Sequence, residues 1–131
     1  MALNRYLYPQ KGTNIVQQVT LHTRVSVDAT GAVTGIVAGR GLAVTKSGAG
    51  ATTIYTVTID NASTVNAVVD VNACFLSDFD KTKHNMIHVK SASATGCVLQ
   101  AYDLQNLSPN EINVAGDLCV SLVCTLSAVP A

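Results

Sequence analysis

Tryptophan is absent from this chain, aromatic residues make up 5% of it, and charged residues only 12%. A soluble domain commonly carries about 25% charged residues. A carbohydrate-binding module normally displays exposed aromatic platforms, and this composition supplies few. The eight basic side chains balance the eight acidic ones, so the formal net charge is zero. A nucleic-acid binder needs a basic stripe. The densest basic segment here, Lys81, Lys83 and Lys90, is interrupted by Asp78 and Asp80 nearby, which reads as a solvated charged loop. No window approaches the roughly 18 consecutive apolar residues of a membrane-spanning helix. The opening Met1-Ala2-Leu3-Asn4-Arg5 does not read as a secretory signal, so the expectation is a chain made in a reducing cytosol.

Catalytic and ligand motifs are equally scarce. Lys46-Ser47 follows a glycine run, but Thr45 stands where a phosphate-binding loop needs glycine, and the following residues read as a hairpin rather than a helix. His84 and His88 have the spacing of a zinc-binding helix without its glutamate; on a strand they would stand about 13 Å apart. Asp78-Phe79-Asp80 lacks the glycine and terminal glutamate of a calcium loop. There is no G-x-S-x-G elbow. Asn61-Ala62-Ser63 matches a glycosylation acceptor by chance in a chain without a signal. Cys74, Cys97, Cys119 and Cys124 contain no C-x-x-C pair. Cys119 and Cys124 would face opposite sides of one strand, so buried free thiols are expected. The reading is of a protein that is not an enzyme and has no metal and no cofactor.

What the chain does have is glycine among β-branched residues. Residues 31–60 contain Gly31, Gly35, Gly39, Gly41, Gly48 and Gly50, with Gly12 upstream, and close on Ile54-Tyr55-Thr56-Val57-Thr58-Ile59. Glycine permits tight turns, and Val, Ile, Thr and Tyr suit a pleated surface between them. Period-two alternation predicts strands at 16–28, 52–60, 65–75 and 118–126. In the first, Val19, Leu21, Val25 and Val27 share a face. In the second, Tyr55, Val57 and Ile59 point inward. In the third, Val65, Ala67, Val69, Val71, Ala73 and Phe75 do so. In the last, Leu118, Val120, Leu122, Cys124 and Leu126 do so. Shorter strands are expected at Ile36-Val37, 42–45, 86–91 and 96–103, with 104–115 as a connection. About eight strands at this spacing predict an all-β fold: an antiparallel β-sandwich or partly closed barrel, jelly-roll-like in strand count. A chain of this length is one domain, here 16–131, preceded by an extended N-terminal arm at 1–15. In that arm Arg5, Tyr6, Leu7 and Tyr8 are candidate partner-binding residues, because paired tyrosines supply interface area at low rotamer cost. The charged loop 77–85 is the next candidate contact.

The series Gly39-Arg40-Gly41-Leu42-Ala43-Val44-Thr45, Gly48-x-Gly50 and Tyr55-Thr56-Val57-Thr58-Ile59 resembles a cadence carried by small all-β structural proteins of tailed-bacteriophage particles. The resemblance covers about a quarter of the chain and contains no catalytic residue. It implies a capsid cement or decoration protein of the virion, with a major capsid protein as partner. It also implies a homo-oligomer, a trimer being favoured because such proteins often sit on three-fold positions. Low charge independently favours self-association, since neutral surface is best covered by other copies. The alternatives are a phage tail or head-fibre module, or a carbohydrate-binding or adhesin module.

Overall fold

The computed structural model describes residues 18–77, 85–103 and 108–126. The arm and most of the charged loop therefore lie outside the described residues. Nine strands fall within them: β1 (Gln18–Val27), β2 (Val33–Arg40), β3 (Leu42–Ser47), β4 (Ile54–Ile59), β5 (Val65–Leu76), β6 (Asn85–Ser93), β7 (Gly96–Asp103), β8 (Ser108–Asn110) and β9 (Gly116–Leu126). Among the described residues helix is confined to two three-residue 3-10 turns, Gly50–Thr52 and Ala62–Thr64. The strands form two antiparallel sheets, one of them curled into a half-barrel. The fold is thus the expected all-β sandwich or partial barrel.

The first sheet runs β2-β1-β9-β5. The last described strand fills the slot between β1 and β5, and its rungs alternate between the core and the outer face. Val25, Leu118 and Phe75 stand in one rung, and Leu21, Leu122 and Val71 in another. These face the core, while the alternate rungs face outward, as a pleat of period two requires. The second sheet runs β3-β4-β7-β6, with β8 also paired to β7. Tyr55, Val57 and Ile59 from β4 and Cys97, Leu99 and Ala101 from β7 are buried against the first sheet. Four pairs of consecutive strands, β1–β2, β3–β4, β6–β7 and β7–β8, are antiparallel neighbours within a sheet, so local connections set much of the topology.

One end of the sandwich is fastened by polar contacts. The Tyr55 hydroxyl donates to the Gly31 carbonyl at 2.7 Å and joins the two sheets. Gly31 has φ +85, and a Cβ there would stand 2.9 Å from that hydroxyl. Asp28 Oδ1 accepts from the Thr30 amide, the Thr30 hydroxyl and the Ala32 amide, closing the turn below. Lys46 Nζ donates to the Thr30 carbonyl at 3.0 Å and lies 3.5 Å from Glu111.

Three details differ from the sequence reading. In β5, register shifts at Val65/Ala67 and Val68/Asp70 break the alternation. A bulge adds a residue and reverses the side-chain phase. Val68 therefore packs against the core, Ala67 pairs with outward Thr125, and Val69 is exposed. Secondly, β2 is a full eight-residue strand rather than a pair of residues. Thirdly, the connection 104–115 contains β8 and the fully buried Ile112.

Candidate functional site

Two features of the outer surface stand out, and both belong to the first sheet. One is a groove of about 450 Å³ across its outward face. Its floor consists of two successive outward-facing rungs, with the rung of Thr23, Val120 and Ala73 between them. In the first, Arg24 of β1 is opposite Cys119 of β9, which is opposite Cys74 of β5; in the second, His22, Ser121 and Asn72 stand in the same order. The small residues Ala38 and Gly39 of β2 form one wall. The Arg24 guanidinium is held by Asp117, whose Oδ2 accepts from Nε at 2.7 Å and lies 2.6 Å from Nη2. That hydrogen bond, with the carboxylate charge, raises the Arg24 pKa further above its ordinary value. Burial pushes the Cys119 thiol up, and the neighbouring Cys74 thiol adds to the shift through its charge and a hydrogen bond.

The four cysteines therefore divide. Cys97 and Cys124 are buried, with thiol pKa values raised by burial, to about 11 for Cys97. Cys119 is half-buried and Cys74 is exposed, so the expectation of buried thiols fails for this pair. Position 74 takes the outward phase of β5 because its neighbours Ala73 and Phe75 take the inward one. Cys119 and Cys124 do face opposite sides of β9, as the odd spacing requires.

The second feature is the β2 edge. This strand pairs with β1 along one side, and among the described residues no strand pairs with the other. Every residue from Thr34 to Arg40 is exposed, including Ile36 at 64% and Val37 at 51%. An exposed strand edge presents backbone donors and acceptors that another chain can pair with. Gly39 has φ +94, and a Cβ there would run into the His22 carbonyl. The glycine thus lets β2 close onto β1 just before the chain crosses to β3.

The motifs weighed in the sequence fall elsewhere. Arg5, Tyr6, Leu7 and Tyr8 lie outside the described residues, as do Asp78, Asp80 and His84. His88 is half-buried on β6, edge-on to the Tyr102 ring at 5.0 Å between centroids. Lys46 and Ser47 end β3, and the tight hairpin that follows contains Gly48 and Gly50. The resembled cadence maps onto the β2–β3 crossing, the β3–β4 hairpin and β4. Among the described residues no group of three or more His, Cys, Asp or Glu side chains is placed to hold a metal ion, and no helix is long and apolar enough to cross a membrane. Sequence reasoning missed the groove, because its rungs combine three strands distant in sequence. The available signal was that Cys74, Cys119, His22 and Arg24 all occupy outward phases. Comparison with family models, curated proteins and solved structures finds no match to this chain.

Proposed function

We propose that this chain is a structural subunit of a tailed-bacteriophage virion, a cement or decoration protein that binds and stabilises the capsid shell as a homo-oligomer. The observation that carries self-association is the β2 edge: a full strand, apolar at Ile36 and Val37, exposed on a chain with a formal net charge of zero. Little charge means little repulsion between copies. An open edge supplies directional hydrogen bonds, and the two large side chains supply apolar area. In the favoured trimer, β2 of each copy meets a different surface of the next, and the ring closes by cyclic symmetry. The virion assignment rests on the glycine and β4 cadence. In this reading the arm residues Arg5, Tyr6, Leu7 and Tyr8 contact the major capsid protein.

Light scattering after size exclusion tests the first part. The wild-type chain is expected as a trimer at micromolar concentration. The double substitution Ile36→Lys and Val37→Lys is expected to give a folded monomer, because these side chains are already in solvent and charge on an edge opposes pairing. A wild-type monomer would overturn self-association. Co-sedimentation with phage capsid shells tests the second part; an oligomer that leaves shells bare would refute the capsid role while leaving the oligomer intact.

A further inference from the structure

We propose that Cys74 and Cys119 are a redox-active dithiol that closes into a cross-strand disulfide, stapling β5 to β9 on the floor of the outer groove. The two residues are direct partners in the antiparallel register, and both line the outer groove. Opposed residues in such a ladder have Cα atoms about 4.5–5.5 Å apart, inside the roughly 4.4–6.8 Å window a disulfide uses. The Cα spacing of the register therefore meets the span a disulfide needs. The other two cysteines lack this arrangement: Cys124 faces the core from the same strand, partnered by Val19 and Val68, and Cys97 is buried in the second sheet opposite Val57 and Ala92.

The surroundings assign an order to the reaction with a hydroperoxide. Cys74 is exposed at the groove, so a small oxidant reaches it first. Its thiolate sulfur attacks one peroxide oxygen, the O–O bond breaks, water leaves after protonation, and Cys74 becomes a sulfenic acid. Cys119 is half-buried, and burial raises its thiol pKa. Its sulfur then attacks the Cys74 sulfur, the S–O bond breaks, a second water leaves and the S–S bond forms. Two thiols lose two electrons, and one hydrogen peroxide is reduced to two waters. On its other side Cys119 is flanked by Arg24, which Asp117 keeps engaged. The site thus resolves the sulfenic acid within one chain.

The experiment exposes the purified, native full-length chain to stoichiometric hydrogen peroxide, blocks remaining thiols by alkylation, and reads intact mass and peptide maps. The expected product before alkylation is a single-chain mass lighter by two hydrogen atoms; the peptide map then shows the Cys74 and Cys119 peptides joined and Cys97 and Cys124 alkylated after unfolding. Thermal unfolding should rise by roughly 10 °C on oxidation, as for a disulfide closing a large loop in a domain of this size. Reduction should reverse it, and Cys74→Ser should abolish both changes. Sulfinic acid at Cys74 with Cys119 still a free thiol, or Cys74 joined to a second chain, would overturn the proposal. So would an unchanged mass.

Discussion

Tyr55 shows how a single side chain fastens both sheets. Its ring is fully buried, and its hydroxyl satisfies the Gly31 carbonyl on the turn between β1 and β2. Burial raises the phenol pKa to about 12, with Glu111 adding to the shift. An unfolded tyrosine ionises near pH 10. The folded state therefore favours the protonated phenol. This contribution is full below about pH 10 and is lost as pH rises to about 12; it is on the order of 2–3 kcal/mol. Tyr55→Phe is expected to cost about 1–2 kcal/mol at neutral pH, because the Gly31 carbonyl loses its partner. Urea melts of the variant should also show a smaller alkaline decline between those pH values, the remainder coming from the buried Cys97 thiol. A variant as stable as wild type would remove the hydrogen bond from the account. Asp28 acts at the opposite end of the scale. Hydrogen bonds from the Thr30 hydroxyl and the Ala32 and Thr30 amides lower its pKa. Its contribution is present above the ordinary carboxylate range and is lost as pH falls through the lowered value. Asp28→Ala is expected to flatten that acid limb in pH-dependent melts, and an unchanged acid limb would count against it.

Individual strands were largely legible in the sequence, since period-two alternation reports directly which face meets the core. β1 and β4 follow their expected faces at the apolar positions, β9 does so from Leu118 to Cys124, and β5 does not. Its bulges depend on how β5 pairs with β9, which alternation within one strand does not encode. Ile112 escaped notice because it is a lone apolar residue in a Ser-Pro-Asn-Glu segment, buried by tertiary packing rather than by any local pattern. β2 provides an internal comparison of two glycines. Gly35 has open space around a built Cβ, while at Gly39 the Cβ meets the His22 carbonyl and φ is +94. Gly39→Ala is expected to destabilise by about 2 kcal/mol or more, through backbone strain and displacement of β1. Gly35→Ala should stay within about 0.5 kcal/mol of wild type, or stabilise slightly through the unfolded chain. Paired thermal melts check this; equal effects would mean that β2 does not close onto β1 as described.

At the scale of the whole molecule, the candidate contacts were partly legible. Low charge pointed to association, but a candidate surface for it became visible only with β2 as a long exposed edge. The groove emerged only when β9 was seated between β1 and β5. In the proposed role, the folded unit and the arm would divide the work of binding a shell. The β1–β9 ladder begins at Gln18 opposite Thr125, and the buried core draws on residues from Thr23 onward. Deleting residues 1–12 removes none of these, so thermal unfolding of the truncated chain should stay close to that of the full chain. If Tyr6, Leu7 and Tyr8 anchor the protein, their loss removes buried aromatic area that few other residues in this chain can replace, given that aromatics are 5% of it. Interface tyrosines commonly dominate binding energy. The truncated chain is expected to bind capsid shells more than tenfold more weakly, a loss above about 1.4 kcal/mol, while its oligomeric state stays that of the full chain because β2 is intact. Competition between the two chains for shells measures this directly. Equal affinity would take the arm out of the mechanism and move the contact to the folded domain, where the loop 77–85 is the next segment to substitute.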